Sequence, residues 1–142
     1  MPFRILMVMA LAVCCGACTT PPKKKPPAKP ARDMSSDVSF QSFVGRVRTA
    51  VAKRDMQMLA SVMTPDFGYR IEPLGEGPGV FQYWDQNGLW HELQLVLNGP
   101  FVPNGKYMVA PPQFVTDEQY HGYRVGFTLV NGSWKFAYFV SG

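Results

Sequence analysis

An α+β domain, with N-terminal helices packed on a C-terminal antiparallel sheet, is predicted by three features of the sequence. Phe40, Phe43, Val44, Val47, Ala50 and Val51 recur at spacings of three and four, which is the period of one helical face. Leu89, Trp90, Leu93, Val96 and Leu97 repeat that pattern. Near the C-terminus the period drops to two on both sides of Asn131-Gly132, the dipeptide that most favours a tight hairpin turn. Amphipathic helices followed by alternating strands bury their apolar sides by stacking in layers.

The chain begins with Arg4, an apolar run from Ile5 to Val13, the small and sulfur-bearing residues Cys14-Cys15-Gly16-Ala17-Cys18, and then a polar, proline-rich stretch. Charged, apolar and small-residue parts in that order read as a secretory signal. Ile5 to Cys18 is shorter than the roughly 20 residues that a membrane-spanning helix requires. Gly16 and Ala17 directly before Cys18 resemble the lipobox of bacterial lipoproteins. The resemblance implies that residues 1–17 are a signal peptide and that Cys18 is diacylated and becomes the first residue of the mature chain. Cys15 stands where that family usually has Leu, Val or Ile. Cys14 is the second candidate, with Leu11 at the matching position but Val13 where a small residue is expected. An ordinary cleaved signal that leaves Cys18 as a free thiol is the remaining reading. The lipoprotein resemblance implies a bacterial cell-envelope location, and Thr19, which is not the aspartate tied to inner-membrane retention, points to the outer membrane facing the periplasm. Two or three acyl chains would hold the protein there without any membrane-binding surface on the domain.

Residues 18–32 are the acylated cysteine and a tether. Five prolines and five cations occupy positions 19–32, a composition that cannot bury a core and that favours extended polyproline geometry. At about 3.1 Å per residue the tether reaches roughly 40 Å. Residues 33–142 are long enough for a single domain with one core. The net charge of +4 divides into +1 for the leader, +5 for the tether and −2 for the domain. A slightly acidic domain has no basic face for phosphates, so nucleic acid is excluded as a partner. All three cysteines lie at or before position 18, leaving the domain without a disulfide, a thiolate nucleophile or a cysteine metal ligand.

Within the domain, Ser36 or Asp37 is the candidate cap of the first helix. A second, shorter helix is predicted from an Asp55 cap through Met58, Leu59, Val62 and Met63, stopping before Pro65. Residues 67–71 are predicted as a short strand and 72–79 as a loop. Gly75, Gly77 and Gly79 lack the Lys-Ser/Thr pair of a phosphate loop and read as a turn. Residues 80–84 fit a short helix or a strand. The helix around Trp90 is opened by Asn87 and closed by Asn98-Gly99-Pro100. In the hairpin of residues 123–130 and 133–140, a two-residue turn pairs Leu129 with Trp134, Phe127 with Phe136, Val125 with Tyr138 and Tyr123 with Val140, all on the buried side. Residues 106–114, around Ala110-Pro111-Pro112, supply a third strand that is either interrupted or at an edge.

The run RTAVAKRDMQMLASVMTPDFGYRI, followed by a glycine loop and VFQYWD, resembles the opening of NTF2-like (SnoaL-like) domains. In those, two helices, a short strand carrying Pro-Asp-Phe and a third helix precede a curved sheet. The resemblance spans about residues 43–85 and implies a cone-shaped pocket, used by some members for catalysis and by others for binding. The helix over residues 89–97 departs from the family, which usually enters strands there. The family has no universal catalytic motif, so no site residue is carried over.

His91 and His121 are the two histidines. HELQL at 91–95 begins like a zinc-protease helix but has Leu95 where the second histidine must stand, so no metal site is assigned. No nucleophile elbow and no S-x-x-K pair occurs, and no cofactor is implied. Asp66, Glu72, Glu76, Asp85 and Glu92 are the carboxylates considered for acid–base work; none is spaced to demand pairing, and no catalytic residue is assigned. Eighteen aromatic residues in the domain provide core bulk and candidate pocket lining. Tyr69, Trp84, Trp90, His91 and Tyr107 are the ligand-pocket candidates. The expected function is a non-catalytic, membrane-anchored module that binds an envelope protein, the cell wall or a small apolar ligand. The alternative is an NTF2-like enzyme that uses a pocket carboxylate or His91 as general base, and its mark would be a buried Asp, Glu or His at the base of a closed cavity.

Overall fold

A computed structural model describes residues 33–70 and 79–142. The leader, Cys18, the tether and the loop carboxylates Glu72 and Glu76 lie outside the described residues.

Asp37 caps the first helix, α1 (Val38–Lys53), accepting the Phe40 N–H at 3.1 Å. The helix ends where Arg54 turns left-handed at φ 50°, its N–H bonding back to the carbonyls of Ala50 and Val51. Asp55 caps α2 (Met56–Val62) by accepting the Met58 N–H at 3.0 Å. That helix stops earlier than its apolar spacing predicts. Met63 is already extended and opens strand β1 (Met63–Gly68), which therefore precedes the expected position 67–71. Pro65 fits this strand because β1 lies at the sheet edge, where a missing N–H costs no ladder bond. Residues 80–84 resolve as helical, within α3 (Val80–Asn87). Gly88, at φ 62°, ends α3 and also starts α4 (Leu89–Leu97). Asn87 is thus not the cap of α4; its side-chain amide donates to the Tyr83 carbonyl at 2.8 Å, inside the preceding helix.

Strands β2 (Val102–Asn104) and β3 (Tyr107–Ala110), a cis Ala110-Pro111 bond, the short α5 (Gln113–Thr116), and strands β4 (Arg124–Val130) and β5 (Ser133–Val140) follow. The sheet order is β1-β5-β4-β3-β2. Strands β2 to β5 pair antiparallel in succession, but β1 runs parallel to β5, so the sheet is mixed and draws one strand from the helical half of the chain. An α+β fold results, with helices packed against a mixed five-stranded sheet.

The β4–β5 hairpin keeps its predicted register for Leu129 opposite Trp134 and Phe127 opposite Phe136. Beyond Phe136 the register shifts: Gly126 faces Tyr138, Val125 faces Phe139 and Arg124 faces Val140. Ala137 is the extra residue of a β-bulge, and a bulge re-aims every side chain after it. Phe139, not Tyr138, therefore points into the core beside Val125, and Tyr138 moves to the outer face.

The core is a mosaic of rings. Phe43 meets Phe127 edge-on at 5.0 Å, Phe40 stands 5.4 Å from Phe101, and Phe67 packs 4.8 Å from Phe136. Trp84, fully buried, contacts Phe139 at 5.7 Å and Trp90 at 5.1 Å. These rings form one contiguous buried cluster between the helices and the sheet.

Candidate functional site

The five pocket candidates do not converge. Trp84 and Trp90 touch each other inside the core, at 0 % and 5 % exposure. Trp90 is held from outside: its indole N–H donates to Asp85 at 2.7 Å, and the Arg54 guanidinium lies 5.5 Å from the Trp90 ring and 3.8 Å from the Asp85 carboxylate. The Trp84 indole nitrogen, by contrast, is buried with no hydrogen-bond partner. Tyr69 is half-buried at the margin of this core, 5.6 Å from Tyr83, with Arg70 over both rings. His91 is exposed on α4, and Tyr107 lies on the opposite face of the sheet.

Acid–base groups are equally dispersed. Asp66 and Asp85 are exposed, Glu92 is half-buried, and both histidines face solvent. Among the described residues Thr128 is the one buried polar side chain, and no three His, Cys, Asp or Glu side chains gather around a point.

A slot of about 370 Å³ opens on the outer sheet face, away from the helices. Register explains its position. Met108, Phe127 and Phe136 face the core, so the intervening Tyr107 and Thr128, which pair across β3 and β4, must face outward. Tyr138, turned outward by the bulge, stands 5.4 Å from Tyr107 with the rings at 73°. One rim carries Thr64 and Asp66 from β1, and the other carries Lys106 from the β2–β3 turn. Lys106 Nζ lies 5.2 Å from the Tyr107 ring, and the Thr128 hydroxyl donates to the Lys106 carbonyl at 3.2 Å. Burial pushes the Tyr138 hydroxyl up to about 12; the nearby Arg124 cation opposes that shift and Tyr107 adds to it. Tyr138 is therefore a neutral phenol at any physiological pH.

A larger but more open groove, about 650 Å³, runs between α1 and α2 along Arg46, Lys53, Asp55 and Met58. Its charged residues are solvent-exposed, and Asp55 is already engaged as a cap.

Sequence reasoning found Tyr107 and missed Tyr138, Thr128, Lys106 and Thr64. The usable signal was Gly126, a glycine inside a strand pattern, which marks a bulge or a close approach. No family model, curated protein or solved structure matches the chain.

Proposed function

We propose that the protein is a membrane-anchored lipoprotein of the bacterial envelope, whose domain over residues 33–142 binds a partner without transforming it. Residues 1–17 act as the signal peptide, Cys18 carries the acyl chains, and the Pro/Lys-rich segment over residues 18–32 spaces the domain from the bilayer. No helix among the described residues is long and apolar enough to cross a membrane. Attachment in this reading rests on Cys18 alone.

The observation that carries the binding role is the separation of acid–base groups from enclosed space. A general base needs a carboxylate or imidazole placed against substrate in a site that restricts water. Every described Asp, Glu and His is exposed or half-buried, while the interior holds aromatic side chains. The outer-face slot offers a phenol, a ring face, a hydroxyl and one charge of each sign, a set suited to holding a ligand. Replacing Cys18→Ser tests the anchor. The variant chain is expected in the soluble fraction after cell lysis, and full retention on membranes would defeat acylation at that position. Turnover of an envelope substrate that is abolished by one substitution in the domain would defeat the non-catalytic role.

A further inference from the structure

Building on the reading of the domain as a binding module, we infer that the outer-face slot is a site for a neutral saccharide, taking about one or two sugar rings. Its volume, about 370 Å³, lies at the small end of ligand pockets, which run from about 300 to 1,000 Å³. The lining is divided between ring faces and polar groups, and a pyranose is divided in the same way, with C–H faces and a hydroxyl rim. Tyr107 and Tyr138, nearly perpendicular at 5.4 Å, form an aromatic corner for such a face. Their hydroxyls make no hydrogen bond to any described residue, so both remain available to a ligand. Thr128, which donates to the Lys106 carbonyl, keeps its lone pairs for an incoming donor, whereas the Thr64 hydroxyl on the β1 side is buried without a partner.

Charge selects among ligand classes. Asp66 and Lys106 line the same slot with opposite signs, so neither an anion nor a cation gains from the pair as a whole. A neutral polyhydroxylated ligand meets an acceptor on one rim and a donor on the other.

The slot is also shaped for retention of the glycan rather than its cleavage. Glycoside hydrolysis ordinarily needs two carboxyl groups flanking the scissile bond. Among the described residues Asp66 is the one carboxylate in the slot lining.

The test uses the full chain solubilised in detergent and N,N′-diacetylchitobiose, a neutral disaccharide, as the probe. Protein aromatic protons are saturated, and transfer to the sugar C–H signals is read by NMR, which also serves for a titration. Wild type is expected to show transfer and saturable binding. Tyr107→Ala should weaken binding by about tenfold or more, the loss of one stacking partner. Asp66→Asn, which keeps the side-chain size, should weaken it less, and Leu95→Ala, at an exposed position on α4, should leave it unchanged. No transfer from wild type at millimolar probe, or equal affinity in wild type and Tyr107→Ala, would overturn the saccharide assignment. Membrane attachment that depends on Cys18 would survive either result, so the anchored-module reading fails separately. New reducing ends during the titration, abolished in Asp66→Asn, would uphold the sugar site and overturn the non-catalytic role.

Discussion

The Tyr138 ring occupies the space over Gly126, where an added β-carbon would stand 2.2 Å from Cε1 and 2.4 Å from Cζ. Gly68, on the other side of β5, is similarly constrained, with an added β-carbon 3.1 Å from Tyr138 Cβ. The ring covers and buries the glycine backbone in the central strand, and the glycine allows the ring to lie against the sheet.

Gly126→Ala is expected to destabilise the domain by about 2–3 kcal/mol, because the methyl group must displace a ring packed between two strands. Tyr138→Ala alone opens space and loses ring packing. In the double variant the clash is absent, so the combined cost should fall short of the sum of the single costs by about 1 kcal/mol or more. Urea unfolding of the four proteins measures this coupling; strict additivity would mean that the ring does not rest on Gly126.

The same residue gives the domain a defined alkaline weakness. The Tyr138 hydroxyl titrates near 10 in the unfolded chain and at about 12 in the folded one, chiefly because of burial. Its contribution is complete below pH 10. Between pH 10 and 12 the unfolded chain releases the proton more readily, so stability falls as pH rises through that window. With the partly open edge of the ring discounted, the loss is at most about 2 kcal/mol. Tyr138→Phe has no such proton. Its unfolding free energy should decline less steeply than that of wild type between pH 10 and 12, and parallel curves would contradict the burial of the phenol.

Much of this architecture follows from local patterns. The six apolar residues predicted for the first helical face are all buried in α1, and Asp37 and Asp55 cap the helices expected of them. The turn at Asn131-Gly132 sets the first hairpin pairs because a two-residue loop fixes register by itself. Alternation cannot register an inserted residue, so Ala137 displaces the prediction for Tyr138 and Phe139. The pairing of β1 with β5 joins segments about 70 residues apart in sequence, as Met63 with Phe136 and Gly68 with Tyr138, and no local period encodes it. For the same reason the slot, assembled from four strands, was legible only in part, at Tyr107 among the pocket candidates and Asp66 among the carboxylates. Trp84 and Trp90 illustrate a different limit, since aromatic residues destined for a core and for a pocket have the same composition.

The two core tryptophans should separate experimentally. Trp90 donates to Asp85 at 2.7 Å, whereas the buried Trp84 nitrogen donates to nothing. A hydrogen bond to a charged acceptor contributes about 1.5–3 kcal/mol, less here because half of the Asp85 side chain is exposed. A double-mutant cycle of Asp85→Ala with Trp90→Phe should give a coupling of about 1 kcal/mol. The matching cycle with Trp84→Phe should give a value near zero, and comparable couplings in the two cycles would contradict the assigned donor.

Asp55 connects helix capping to the outer-face slot. Helix α2 has seven residues, too few to persist without tertiary contacts and a cap, and its end runs directly into β1 at Met63. Loss of the Asp55 acceptor for the Met58 N–H should cost about 1 kcal/mol in Asp55→Ala. Asp55→Asn retains a capping oxygen and should cost only a few tenths. Because β1 carries Thr64 and Asp66 on one rim of the slot, fraying of α2 should speed amide exchange at Met58 and Leu59 and extend into β1. Exchange in β3, on the opposite rim, should be unaffected. If Asp55→Asn proves as damaging as Asp55→Ala, the carboxylate acts through its charge and the capping account fails; if β1 exchange is unchanged in Asp55→Ala, the rim holds its geometry independently of α2.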